Sequence, residues 1–507
     1  MTGKREFGDY QTPLEFADQV CAFLKNRCDI NPSVIVEPTC GIGAFLKASL
    51  IFDVKKIYGI EINPEYCQIC SDEIEDCRVR IINSDFFNCD IKNLVKGENA
   101  LVVGNPPWVT NSTLSAMNST NLPQKVNFKG LKGIEALIGS SNFDICEYII
   151  LKLLSIFRDS KTTIAMLCKT SVARNVFQEL HREGISCDYC ELYEFEASKI
   201  FGISASACLF LIQLTDKEGM VPKACNIYDF EEPKKIKGSF GYQNGFFYSD
   251  LSSEVLNFDG LCCFEWRQGV KHDCSKIMEL TKQNNKLING KKEIVDIESD
   301  IVFPLVKSSM FKKAVINTFS KYVIVTQRKV KEETGHLEHE LPKTWAYLMA
   351  NKDVFNSRKS SIYCGAPPFS MFGVGDYSYS KYKVGVSGFY KNPLFSILFS
   401  DSGTPVMTDD TSYFICFDKY EDAYVAMLYL NSDRVITFLK SIAFLDAKRP
   451  YTKKVLSRIN FRKVVEEVSM GELLETEDRL ELQKYLTKEM VENFSKLISG
   501  SSLFDSI

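Results

Sequence analysis

The sequence predicts an α/β protein: an open, Rossmann-like sheet flanked by helices over residues 1–220, followed by an α+β region over 245–507. Three observations carry this. Short apolar runs at 33–36, 57–62, 79–82 and 101–103 alternate with helical stretches, the pattern of repeated βαβ units. Each run ends in a glycine, an acid or an asparagine, where open α/β sheets bind ligands. Past residue 215, Lys, Glu, Gly and Pro interrupt the pattern over roughly 216–245, which reads as a boundary. At 507 residues the chain is too long for one core.

Composition narrows the class. Hydrophobic residues make up 45% and charged residues 25%, ordinary for a globular protein. No apolar run is long enough to span a bilayer and no signal peptide is read, so a cytoplasmic protein without a membrane partner is expected. The 18 cysteines form no framework, which fits a reducing compartment with most thiols as small core residues. Cys67-x-x-Cys70 and Cys187-x-x-Cys190 have half-zinc spacing but lie far apart, with only four histidines in the chain, so no metal site is expected. The net charge of −4 is unevenly spread. Residues 1–219 carry 22 basic and 28 acidic side chains, whereas 301–331 carry seven basic and no acidic ones, and 441–463 seven and one. Basic stretches in the second half point to a polyanion there.

The elements follow in order. Asp9-Tyr10-Gln11-Thr12-Pro13 opens an amphipathic helix with Leu14, Ala17, Val20 and Leu24 on one side; Thr12 is expected to cap it, with Pro13 at the first helical position. Residues 33–46 read as strand, glycine turn and helix, with Gly41 and Gly43 allowing close approach of a ligand to the backbone. The next strand ends in Glu61, about 20 residues past the glycines, where an acid commonly holds ribose hydroxyls. The third ends in Asn83-Ser84-Asp85-Phe86, an acid and an aromatic able to grip an adenine by its amino group and ring face.

The fourth strand, Leu101 to Val103, runs into Gly104-Asn105-Pro106-Pro107-Trp108. Two prolines fix φ and remove two N–H donors, leaving a rigid turn that presents an amide, bare carbonyls and an indole. An exocyclic amine on a base is a poor nucleophile because its lone pair is delocalised into the ring. Acceptors on its two N–H groups, here the Asn105 side-chain oxygen and the Pro106 carbonyl, draw it toward tetrahedral geometry and stabilise the developing positive charge.

Residues 111–142 are long and polar, with Lys125, Lys129 and Lys132, and read as a lid over the site. A helix over 145–157, a strand Thr162 to Cys168, the stretch Lys199-Ile200-Phe201-Gly202 and a last strand Ala207 to Leu214 complete the first region. In the second half, 267–272, 301–331, 358–361, 373–377 and 448–454 are candidate contacts to such a polyanion, with Lys271, Lys312, Lys313, Arg328, Lys329, Arg358, Lys359, Lys448, Arg449 and Lys453 as the cations. Residues 471–498 read as helical, with Leu473, Leu474, Leu480, Leu482, Tyr485 and Met490 for packing.

Residues 11–13, 37–46, 59–64, 83–87 and 104–108 together resemble motifs X, I, II, III and IV of the gamma-class DNA adenine-N6 methyltransferases of bacterial restriction–modification systems. The resemblance implies a Rossmann-like methyltransferase sheet, S-adenosylmethionine as cofactor, double-stranded DNA as partner, and a target-recognition region in the second half. It implies that Thr12 helps hold the methionine carboxylate, that Glu37, Cys40, Gly41 and Gly43 line the methionine and ribose side, and that Glu61 takes the ribose hydroxyls. Ile62 would pack on the cofactor adenine, which Asp85 and Phe86 hold. Asn105, Pro106 and Trp108 would hold the target base, with Asn105 also at the cofactor. Trp108 stands where the family usually has Tyr or Phe. Phe201 matches the aromatic before the last strand, so that a flipped adenine would lie between Trp108 and Phe201. The product would be N6-methyladenine. The same site suits methyl transfer to cytosine N4, to RNA bases or to protein glutamine, the last disfavoured by the large second half; a non-catalytic specificity module is the reading from another class. The first motif begins at residue 9, so any cognate restriction endonuclease is expected as a separate chain, and the protein is expected to be a monomer.

Overall fold

The computed structural model describes residues 11–109, 144–251, 253–284, 286–445 and 447–500. The lid read over 111–142 lies outside them. The chain forms two compact units, residues 1–252 and 253–507.

The first unit opens with α1 (Leu14–Asn26), whose Ala17, Val20 and Leu24 are fully buried while Leu14 is exposed. Its N-cap is Pro13 rather than Thr12, and no side chain caps it. Pro13 has an extended ψ of 135°, which places the turn one residue later than the sequence suggests. The Thr12 hydroxyl is used elsewhere. Strands β1 (Val34–Glu37), β2 (Lys56–Glu61), β3 (Val79–Asn83), β4 (Ala100–Gly104) and β5 (Thr163–Lys169) alternate with α2 (Ala44–Ala48), α3 (Pro64–Glu73), α4 (Ile91–Val95) and α5 (Ile145–Ile156). Then come α6 (Thr170–Arg182), β6 (Cys187–Glu196), α7 (Ala197–Phe201) and β7 (Ser206–Leu214). β1 and β4 are buried along their whole length, as parallel strands covered on both faces must be. Burying each such aliphatic side chain contributes about 1.5–3 kcal/mol.

The segment read as a boundary instead carries β8 (Ala224–Asp229), β9 (Ile236–Gln243) and β10 (Phe246–Tyr248). They extend the same sheet to ten strands, in the order β10-β9-β8-β6-β7-β5-β4-β1-β2-β3. These strands look polar because most of their side chains are only half buried. β1 to β6 and β8 run parallel, and β7 runs antiparallel between β5 and β6. The chain passes outward from β1 through β2 to β3 and returns to β4 on the other side of β1. The crevice at the carboxyl ends of β1 and β4 is therefore the topological switch point, where such sheets bind ligands.

The second unit is α+β. One sheet has the strand order Arg267–Gln268, Ser412–Phe417, Tyr382–Ser387, Ser396–Leu398, Val315–Ile316. The other has the order Ile294–Val295, Lys286–Asn289, Glu279–Gln283, Lys321–Ile324, Val302–Val306, Met407–Thr408. Helix Tyr420–Asn431 is almost wholly buried. The stretch read as one helix over 471–498 is two, Met470–Arg479 and Lys488–Gly500. Glu481, at a φ of 55°, lies in the break. Buried Glu477 holds the break, accepting from Tyr424 Oη at 2.6 Å and from the backbone N–H groups of Tyr485 and Leu486 at 3.0 and 2.9 Å.

Candidate active site

The loops after β1, β2 and β4 meet at the switch point. After β1 the chain turns through Gly41 and Gly43, at φ of 52° and 83°, a region that favours glycine. A β-carbon at Gly43 would lie 2.9 Å from Cys70 Sγ, and one at Gly41 2.7 Å from Gln11 Oε1. Gln11 thus lies over the turn, and its Oε1 accepts from Ile42 N at 3.3 Å. Cys40 is buried and hydrogen-bonded to Cys70, whose Sγ is 3.3 Å from Gly41 O. These two thiols pack the turn from behind.

Two carboxylates flank it. Glu61 is buried at the end of β2; its Oε2 accepts from Gly41 N and its Oε1 from Asn63 N, both at 2.8 Å. Glu37, at the end of β1, is 3% exposed, and a β-carbon at Gly104 would meet its Cγ at 3.3 Å. Its Oε2 has no hydrogen-bond partner among the described residues. Burial holds the Glu37 carboxyl well above the usual carboxylate range, with Cys70 and Glu61 adding to the effect. At the end of β3, Asp85 accepts from Phe87 N at 3.0 Å and Asn88 Nδ2 at 3.1 Å. Phe86 is buried, edge-on to Phe87 at 5.1 Å, while Ile62 is 56% exposed.

The turn after β4 is fastened at both ends. Asn105 Nδ2 donates to Thr12 Oγ1 at 3.2 Å. Trp108 is 7% exposed, and its Nε1 donates to Leu167 O in β5 at 3.3 Å. Val109 O accepts from Ile145 N at 2.9 Å. Asp144 caps α5 by accepting from Cys146 N at 3.1 Å and accepts from Lys169 Nζ at 2.8 Å. Burial raises the Asp144 carboxyl's pKa and Lys169 opposes the rise. Phe201, at the end of α7, belongs to an aromatic cluster with Phe16, Phe195 and Phe230. Its ring centroid lies 5.5 Å from that of Trp108, with 69° between the planes. A base sandwiched between two parallel rings needs about 7 Å, two van der Waals contacts. In this conformation the two rings therefore meet edge to face and leave no such slot.

No family model matches the chain. The type II methyltransferase M.NspV of Nostoc sp. is 39% identical over 469 residues, 90% of this chain and 96% of that protein. The chain belongs to the type II methyltransferases. The type II methyltransferase M.CvrRI of Paramecium bursaria Chlorella virus XZ-6E is 32% identical over 107 residues, 21% of this chain and 26% of its own. The solved structure of the type IIL restriction-modification enzyme MmeI in complex with DNA covers 96% of this chain and 71% of its own at a TM-score of 0.52 and 13% identity, a likeness of fold. The methyltransferase is a DNA-modifying enzyme of the restriction–modification type, and its cofactor is S-adenosylmethionine. The crevice fits that group: a cation with ribose hydroxyls suits a buried carboxylate oxygen that has no partner among the described residues, beside a second carboxylate on a glycine turn. Among the described residues no helix is long and apolar enough to cross a membrane.

The second unit distributes the sequence-predicted cations unequally. Lys312, Lys313, Arg328, Lys329, Lys359 and Lys448 are exposed, Arg328 with its guanidinium 5.2 Å from the Tyr379 ring centre. Arg358 departs from the expectation of a DNA contact. Its guanidinium donates to Phe355 O, His272 O and Ser370 O and stacks on Tyr363 at 3.7 Å, so Nε and Nη1 are engaged inside the fold. Lys271 pairs with Asp273 at 2.8 Å, and Lys453 with Glu265 at 3.4 Å. Lys271 and Arg449, far apart in sequence, converge on Asp410 at 3.8 and 3.9 Å. Lys271 and Asp410 line a cleft of about 610 Å³ together with Lys307, Glu279 and Tyr390. The glycine stretches at 269 and 373 meet each other: Lys271 and Phe372 pair backbone to backbone at 2.8 Å in both directions. The tie from Thr12 to Asn105 and the Asp144–Lys169 pair carried no signal in the sequence, since each joins residues separated by more than one element.

Proposed function

We propose that this enzyme is a gamma-class methyltransferase that modifies adenine N6 on a base flipped out of duplex DNA, the first unit carrying the chemistry and the second reading the target. The observation that carries the reading is the Asn105-Pro106-Pro107-Trp108 turn at the switch point, held from Thr12 at one end and Leu167 at the other. When bound, S-adenosylmethionine supplies an electrophilic methyl on a sulfonium. Glu37 and Glu61 hold its ribose and methionine portion, the Gly41–Gly43 turn admits it to the backbone, and Asp85, Phe86 and Ile62 take its adenine. Asn105 Oδ1 and the Pro106 carbonyl accept from the two N–H groups of the target amine, localise its lone pair and stabilise the positive charge that develops on nitrogen. Trp108 and Phe201 form the aromatic wall, and their edge-to-face contact opens or offers a single face to the incoming base. Holding the amine in line supplies most of the remaining rate.

The test is tritiated methyl transfer from S-adenosylmethionine to unmodified DNA, with nucleoside digestion, for the wild type and Asn105→Ala. N6-methyladenine from the wild type, with a loss of about 10²–10³ in kcat in the variant, is the expected result by analogy with removing one preorganised charge-stabilising contact. N4-methylcytosine would reassign the base. Label confined to RNA or protein would overturn the DNA reading.

A further inference from the structure

We infer that Thr12 is a positioning residue for methyl transfer, holding the Asn105 amide in plane and end for end. The inference rests on the reading of Asn105 as an acceptor for the target amine. Thr12 is 8% exposed, and its Oγ1 lies 3.2 Å from Asn105 Nδ2 across 93 residues of chain. A threonine before a helix usually spends its hydroxyl on capping, but the N-cap of α1 is Pro13 and no side chain caps the helix. The hydroxyl turns instead to the catalytic turn. The contact occupies the NH₂ end of the Asn105 amide and so directs Oδ1 away from Thr12, the orientation an acceptor for an amine requires. Threonine suits the task because its branched β-carbon stiffens χ1. Gln11, the preceding residue, bonds Ile42 N and covers Gly41. Two consecutive residues, Gln11 and Thr12, therefore register the cofactor turn against the catalytic amide. A cofactor ligand and an orienting residue make different demands on kinetics, which separates the two roles.

The test uses the full chain with Thr12→Val and Thr12→Ser. Cofactor Kd is measured by calorimetry, and kcat and KM for DNA at saturating cofactor. The expected result for Thr12→Val is a fall of about 10–100-fold in kcat at saturating cofactor, the usual cost of losing a supporting contact behind a functional group, whatever the change in cofactor Kd. Thr12→Ser, which keeps the hydroxyl, restores most of kcat. If Thr12→Val does not fold, Thr12→Ala, without the γ-methyls, replaces it. Cofactor affinity lost tenfold or more with kcat intact would overturn the inference in favour of carboxylate binding, and an unchanged kcat and Kd would overturn it outright. Asn105→Ala separates the two levels. Full transfer in that variant refutes the acceptor reading itself, whereas an inactive Asn105→Ala beside an active Thr12→Val refutes only the role given to Thr12.

Discussion

Glu37→Gln should make the cofactor-free enzyme more stable and the cofactor-bound enzyme less so. Glu37 is 3% exposed and its Oε2 has no partner among the described residues, so the ionised side chain is held in a place that favours its neutral form. Glutamine keeps the shape and removes the charge. The glutamine amide stays unpartnered, so the gain is that of removing a charge that burial disfavours, roughly 1–3 kcal/mol at a pH where the carboxyl is ionised. At about 2–4 °C per kcal/mol for a unit of this size, Tm should rise by about 2–12 °C. The sign of the pH dependence follows from linkage. A carboxyl whose folded pKa lies above its unfolded value binds more protons in the folded state, so its contribution is present at low pH and is lost as pH rises from the unfolded toward the folded pKa. The gain in Glu37→Gln is therefore largest at high pH and fades on acidification. Cofactor reverses the order. At a concentration a hundredfold above Kd, binding adds about 2.7 kcal/mol to the wild type, and a variant that has lost the carboxylate forfeits most of that. The assay is thermal unfolding with and without S-adenosylmethionine from pH 5 to 9, alongside calorimetric Kd. A lower Tm for apo Glu37→Gln, or unchanged cofactor affinity, would refute the argument that this charge is kept for the ligand.

Three further outcomes are expected. Glu147, 9% exposed and held by Asn175 Nδ2 at 3.0 Å, has its pKa raised by burial to about 7. Stability of the wild type should fall by up to about 3 kcal/mol as pH rises from 4.5 to past 7, and Glu147→Gln should flatten that part of the curve in denaturant titrations. Gly43→Ala places a methyl 2.9 Å from Cys70 Sγ at a φ of 83°; we expect a loss of about 1–3 kcal/mol from backbone strain with weakened cofactor binding, read by calorimetry. Lys329→Ala should leave Tm unchanged and, where it meets a phosphate, reduce the salt slope of DNA binding by about one. Arg358→Ala, which removes the side-chain donors from three carbonyls, should lower Tm before it changes that slope.

What the sequence made legible was local. Gly41, Gly43, Glu61, Asp85 and the Asn105 turn each stand at or just past the end of a strand, and glycine, proline and strand periodicity act over a few residues. Features set by contacts across the fold were not legible. Thr12 looks like a cap because Thr-Pro favours one, and only the extended Pro13 and the proximity of β4 send its hydroxyl to Asn105. Strands β8 to β10 look like a linker because sheet margins are half solvated, and period-2 alternation fades there. Arg358 looks like a phosphate contact because charge in sequence says nothing of which carbonyls surround it. Trp108 and Phe201 were matched by position, but their edge-to-face geometry depends on the aromatic cluster behind Phe201.

The reversal of β7 has a consequence for how much rim the enzyme has to work with. In a wholly parallel sheet each strand delivers one loop to the carboxyl side, and every further loop costs a helical crossover. Because β7 returns directly alongside β6, the connection over 197–205 turns over on that same side without one. It brings Phe201 to the indole of Trp108. One inverted strand thus builds this wall of the reactive rim from a short return connection, which can change in length or composition while the cofactor half of the sheet stays untouched.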